Sequence, residues 1–234
     1  MYAMLDSIDC PSPNFDEREL PISMLVLHYT GMADAASAIA RLTDAQARVS
    51  AHYLVAEDGK VLNMVPEEKR TWHAGQSYWR GVTDINSASI GIEIVNPGHE
   101  FGYRPFPDEQ MEALLPLVAG IVERHGIYPS NVVGHSDIAP ARKQDPGELF
   151  DWGRLAKSRL ALPRPVKNLA DPLWTDGGFL LALERFGYDV REPRAAVLAF
   201  QRRFRPELLD GVIDGECRAI LLSLLLDRER GLAK

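Results

Sequence analysis

Two short, unbroken apolar runs, residues 23–29 (SMLVLHY) and 89–95 (SIGIEIV), constrain this chain more than any other feature. Neither alternates polar with apolar positions, so both read as strands buried on two faces, the kind found at the centre of a helix-covered sheet. Pro21 precedes the first run and Thr30 and Gly31 follow it, which bounds a strand whose last residues include His28. A third short run, residues 131–134 (NVVG), delivers His135 at its end. Residues 52–55 and 60–65 flank Glu57, Asp58 and Gly59, a hairpin signal. Residues 33–42 have helical composition. A longer helix opens at Pro107, carries Asp108 and Glu109 in its first turn, repeats Met111, Leu114, Leu115, Val118, Ile121 and Val122 at helical spacing, and stops at Gly126. Pro116 is expected to kink it. The order predicts an α/β fold with a mixed central sheet flanked by helices.

Beyond a short helix at residues 152–160, the prolines Pro163 and Pro165 favour an extended connection. Helical patterns then recur at residues 178–186, 195–203 and 216–226. The expected organisation is a larger domain at residues 1–162, a linker at 163–167, and a small three-helix domain at 168–234 standing as a satellite. A chain of 234 residues suits one ordinary domain plus a small one, and 46% apolar with 25% charged residues is a soluble globular composition. The net charge of −7 argues against a nucleic-acid coat, which needs a basic surface. No segment approaches the ~20 apolar residues of a membrane span. Cys10 and Cys217, the two cysteines, lie far apart in sequence and do not suggest a disulfide framework.

Chemistry is best sought among the six histidines. His28 and His135 each end an expected strand, where side chains at a sheet edge commonly form sites. A single such histidine is more often structural; the pair favours a metal. The loop after His135 adds Asp145, and two imidazoles with one carboxylate hold zinc while leaving a position open. Asp145 also reads simply as a turn residue before Pro146. Spacing alone does not decide, because the candidates come from distant segments and no compact metal motif is present.

Five motifs in order sharpen the reading: LVLHYTG at residues 25–31, SAHYLVAEDG at 50–59, WHAG at 72–75, SIGIEIVN at 89–96 and GHSDIAPARKQDPG at 134–147. Together they resemble the zinc-dependent N-acetylmuramoyl-L-alanine amidases of the AmpD and AmiD type, which share the fold of the peptidoglycan recognition proteins. The presence of a second domain resembles the AmiD branch more. The resemblance implies zinc held by His28, His135 and Asp145, with Glu93 as general base and Lys143 stabilising the oxyanion. It implies peptidoglycan or muropeptides as substrate, cut between N-acetylmuramic acid and L-alanine. Trp72 and His73 fall in a family motif and read as substrate-groove residues, with a structural role for His73 equally open. Trp72 and Trp79 offer flat faces to a sugar, and both are also ordinary core residues. His52 reads as a core histidine or as a support for a metal ligand. His99 reads as a solvated loop residue and His125 as a helix C-terminal one.

The C-terminal segment resembles the helical peptidoglycan-binding domain of wall hydrolases, through GYDV at residues 187–190, AVLAFQRRFRP at 196–206 and DGVIDGECRAILLSLL at 210–225. Phe200 and Gln201 carry that likeness most, against the alternative of a generic three-helix unit, while Arg202, Arg203 and Arg205 read as solvated. Two other functions stay open: a non-catalytic peptidoglycan sensor, and a zinc peptidase acting within the stem peptide. Asp6 and Asp9 stand where an export signal would be basic and then apolar, so a cytoplasmic enzyme recycling imported muropeptides is expected, with an envelope hydrolase as the alternative.

Overall fold

A computed structural model describes residues 7–165 and 169–229. The strands are β1 (Ser7–Asp9), β2 (Phe15–Glu17), β3 (Met24–Tyr29), β4 (Tyr53–Val55), β5 (Val61–Asn63), β6 (Lys69–Thr71), β7 (Ser89–Ile94) and β8 (Val132–Gly134). The helices are α1 (Ala35–Thr43), α2 (Ile85–Ala88), α3 (Gly98–Phe101), α4 (Asp108–His125), α5 (His135–Ile138), α6 (Trp152–Lys157), α7 (Asp176–Phe186), α8 (Pro193–Phe204) and α9 (Gly215–Glu229). Six strands form one sheet in the order β1-β5-β4-β7-β3-β8, and β2 pairs with β6 apart from it. The apolar runs at 23–29 and 89–95 become its parallel centre, β3 beside β7, with β8 parallel on the other side of β3. The expected hairpin is the antiparallel pair β4-β5, turned at Gly59, whose φ of +80° suits a residue without Cβ.

Strand alternation sends each buried strand's residues to two cores. Leu25 and Leu27 of β3, with Ile90, Ile92 and Ile94 of β7, face α4, which lays Met111, Leu114, Val118 and Ile121 against them. That helix carries Pro116, where the sequence suggested a kink, inside one continuous element. The carbonyl that a proline there leaves unpaired belongs to Glu112, an exposed residue.

The opposite face of β3 presents Met24 and Val26, followed by His28. Met24, Val26 and Val133 share one core with Phe179, Leu183, Phe186, Tyr188, Phe200, Phe204 and Leu221 from the C-terminal segment. The three expected helices form as α7 to α9, yet they cover the sheet instead of standing off as a satellite. The linker expected at 163–167 falls partly on residues 166–168, which lie outside the described residues, as does part of the N-terminal segment. Phe200 is fully buried, and Gln201 ties down the 210–212 turn through Asp210, Gly211 and the Val212 carbonyl. Arg203 and Arg205, expected to be solvated, are 7% and 1% exposed. Arg203 packs on Trp152, and Arg205 pairs with Asp210 and Asp214, partners that the sequence could not choose among its many acids. Cys10 and Cys217 are both free.

On the same face, α1 covers the β4 and β5 side with Ala38 and Leu42 against Leu54 and Leu62. The ground between α1 and the C-terminal helices, at the C-terminal ends of β3, β7 and β8, is left open. No described helix is long and apolar enough to cross a membrane.

Candidate metal centre and catalytic cleft

Strand register lines up the site. His28 on β3 is the partner of Glu93 on β7, and Leu27 is the partner of Gly134 on β8, so His135 follows one step on, beside His28. His28 and Glu93 stand one residue before their strands end, and His135 one residue after β8, on the face that carries Met24 and Val26. The chain then leaves β8 through α5 and returns by a loop that brings Asp145 to the two imidazoles; the Ser136 N–H donates to the Asp145 carbonyl at 2.8 Å to hold that return.

His28, His135 and Asp145 form a group of buried potential ligands. His28 Nδ1 and His135 Nδ1 are 2.9 Å apart, and each is 3.0 Å from Asp145 Oδ2. Donors around a tetrahedral zinc with bonds of about 2.0–2.2 Å stand about 3.3–3.5 Å from one another, so this triangle is only slightly tighter than an ion would set it. Proton bookkeeping points the same way. His135 Nε2 faces the Ala74 carbonyl at 3.1 Å, and a carbonyl only accepts, so the neutral ring carries its hydrogen there and leaves Nδ1 bare. Burial, and then the neighbouring His135, lower His28 to about 4, so its ring is neutral near pH 7. Burial favours protonation of Asp145, and only positive charge with hydrogen-bond donors where His135 and His28 stand outweighs it and holds the carboxyl well below its usual range, a need that neutral rings leave unmet. Ligand atoms thus converge around a carboxylate with too few protons to join them, an arrangement a cation satisfies. The donor set suits zinc among first-row ions.

Glu93 borders the cleft beside this group. Its Oε2 is enclosed and has no hydrogen-bond partner. Burial, with the Asp145 charge adding to it, raises Glu93 well above the usual carboxylate range, while Lys143 pulls the other way. An unpaired buried carboxylate oxygen is rare where it serves only the fold.

The cleft holds about 380 Å³ and is walled by Ala38, Arg41 and Leu42 of α1, by Trp72 and His73, by residues 97–100, and by Arg142, Lys143 and Asp145. Trp72, His73, Glu93, His135, Lys143 and Asp145 all border it, with His28 against His135 and Asp145. Trp72 spends its indole N–H on Asp16 at 2.6 Å and keeps a ring on the cleft wall, with Arg48 lying 5.9 Å from its centroid. His73 lies deeper than a groove residue: it is 8% exposed and has a polar partner at each ring nitrogen, His28 and Ser89. Trp79 is not in the cleft, being packed against Phe186 and Tyr188. His52 is a core histidine, accepting from the Gly91 N–H at Nδ1 and facing the Lys69 carbonyl with Nε2. His125 pairs with Glu67. His99, expected to be solvated, is exposed and also lines the cleft, bonding Tyr29 Oη at 2.8 Å and stacking on Tyr103. Tyr29, Arg41 and Arg142 are cleft residues that sequence reasoning missed. The phrase HYTG carried a signal for Tyr29, whereas nothing local separates Arg41 from other helix-surface arginines.

The C-terminal segment reaches this centre through a buried contact. Tyr188 Oη donates to Asp137 Oδ1 at 2.6 Å, while Asp137 Oδ2 accepts from the Gly134 N–H at 2.8 Å, the residue just before ligand candidate His135.

Comparison with known proteins agrees with this geometry. The family profile of N-acetylmuramoyl-L-alanine amidases matches residues 18–148, which include every one of the site residues above. The amidase AmiD of Escherichia coli K12 is 42% identical over 230 residues, covering 87% of this chain and 82% of that protein. The 1,6-anhydro-N-acetylmuramyl-L-alanine amidase AmpD of Enterobacter cloacae is 35% identical over 171 residues, 64% of this chain and 89% of its own. Among solved structures, the E. coli AmiD complex with anhydro-N-acetylmuramic acid-L-Ala-D-gamma-Glu-L-Lys superposes with a TM-score of 0.80 at 38% identity, over 91% of this chain and 92% of that one. The chain belongs to the N-acetylmuramoyl-L-alanine amidase family.

Proposed function

We propose that this enzyme hydrolyses the amide between N-acetylmuramic acid, or its anhydro form, and the L-alanine of a stem peptide, using zinc held by His28, His135 and Asp145. The observation that carries the reading is the triangle of donor atoms beside a carboxylate oxygen with no partner. The names of the similar proteins, amidases of muramyl and anhydromuramyl L-alanine, support the bond and the substrate class.

An amide is a poor electrophile, so hydrolysis needs a nucleophile at neutral pH and a stabilised oxyanion. Zinc supplies both when bound, by lowering the pKa of a water towards ~7 and by polarising the carbonyl. Glu93 provides the proton path: its free Oε2 takes a proton from the attacking water and returns it to the departing alanine nitrogen. Burial raises the proton affinity of Glu93, which favours its holding the proton between those two steps. Lys143, on the cleft wall, sets an ammonium near the oxygen on which negative charge develops, an interaction of several kcal/mol in a partly desolvated site. Trp72 offers an apolar face to the bound sugar or peptide.

Mass analysis of digested anhydromuropeptides tests the reading. The expected products are the free peptide starting at L-alanine and the intact anhydro sugar. Shortened peptides still attached to the sugar mean a peptidase, and unaltered but bound muropeptides mean a sensor.

A further inference from the structure

We propose that the His73–Ala74 step is the element that orients both imidazole ligands, with His73 as the positioning residue for His28. The inference rests on the zinc reading above and assigns His73 a task distinct from substrate contact.

Single hydrogens set the ring orientations. Ser89 Oγ lies 2.6 Å from the Ile85 carbonyl, and its one hydroxyl hydrogen goes there. Towards His73 Nε2, 3.1 Å away, Ser89 Oγ is then an acceptor, so that ring nitrogen carries the hydrogen. A neutral His73 consequently has a bare Nδ1, which faces His28 Nε2 at 2.9 Å and accepts from it. His28 is left with a bare Nδ1 turned towards His135 and Asp145. The next residue does the same for the other imidazole, since the Ala74 carbonyl accepts from His135 Nε2. Both backbone N–H groups of the step donate to one atom, Asn86 Oδ1, at 3.1 and 2.7 Å, so the orienting groups move as a unit. Room for the His73 ring comes from Gly91, where a Cβ would stand 2.6 Å from His73 Cγ. Groups that accept from the outer nitrogen of a ligand histidine fix its tautomer and raise metal affinity, and losing one typically weakens binding about 10–100-fold.

Zinc affinity by chelator competition, read on wild type, His73→Asn and His73→Leu, tests this. Asparagine places an oxygen acceptor where Nδ1 stands; leucine fills the space without one. The expected result is wild-type affinity within about 3-fold for the Asn variant and a loss of about 10–100-fold for the Leu variant. Equal affinities in all three, or equal losses in both variants, overturn the positioning role while leaving the zinc reading in place. Wild type that binds no zinc overturns both. Because the Leu variant can fail to fold, long-range proton–nitrogen spectra of the histidine rings in the wild-type zinc protein give an independent reading: hydrogen on Nε2 of His28, His73 and His135 is expected, and hydrogen on Nδ1 of either His28 or His73 contradicts the relay.

Discussion

Ending the chain at residue 165 removes α7 to α9 and strips the β3 and β8 side of one face of the sheet. Met24, Val26, Val133, Ile138 and Leu162 belong to the core those helices complete, and all are 4% exposed or less. Burying such a side chain fully is worth about 1.5–3 kcal/mol, so uncovering even half of each costs about 4–8 kcal/mol across the five. The cut also takes away Tyr188 from Asp137, and the Phe186 and Gly187 carbonyls from Arg80. Against a usual domain stability of about 5–15 kcal/mol, that loss consumes most or all of the margin. We therefore expect the shortened chain to lose its cooperative thermal transition or to aggregate, and to bind zinc poorly because α5 and His135 lose their support. Differential scanning calorimetry with zinc titration on both lengths is the assay. A shortened protein that melts cooperatively within a few degrees of the full chain would refute the shared-core reasoning and restore the picture of a tethered module.

Further outcomes follow from particular contacts. Burial depresses His28 to about 4 and His52 to about 3. The unfolded chain, with histidines near ~6.5, takes up those protons first, so metal-free protein keeps this contribution above pH 6.5 and loses several kcal/mol as pH falls towards 4. Urea midpoints that do not drop between pH 7.5 and 5 contradict this. Tyr188→Phe leaves buried Asp137 Oδ1 without its donor and should lower stability by about 1–3 kcal/mol in denaturant titration, with the melting curve still cooperative. Peptidoglycan binding by the C-terminal helices is a separate proposal: cosedimentation with purified sacculi should persist in a Glu93→Gln protein with its cleft blocked by a muropeptide, and complete release by that ligand would assign all binding to the cleft.

Part of the site was legible because parallel strands buried on both faces announce themselves as unbroken apolar runs, and their C-terminal ends are where His28 and His135 stand; Glu93 and Lys143 were readable only through the family resemblance. Asp145 was readable as a ligand only through the chemistry that two imidazoles require. What stayed hidden depends on partners distant in sequence. The short strands β1, β2 and β6 have no apolar pattern of their own and form by pairing across 50 or more residues, β1 with β5 and β2 with β6. The sequence gives the same letter to a solvated arginine and to Arg205, whose place is set by Asp210 and Asp214 on a turn that Gln201 holds. Trp79 and His73 show the same limit in the core: an aromatic or imidazole ring in a motif marks importance, and only packing tells whether it touches a ligand or supports what does.

Zinc content and hydrolysis rate measured side by side in wild type, Asp145→Ala and Glu93→Gln test the division of labour on which the account stands. One zinc per chain and full rate in wild type, loss of both in Asp145→Ala, and retained zinc with a rate lowered by about 100-fold or more in Glu93→Gln are the results predicted. Equal zinc loss in the two variants would make Glu93 a ligand and leave the proposed base unassigned, and undiminished hydrolysis by metal-free wild type would contradict the mechanism outright.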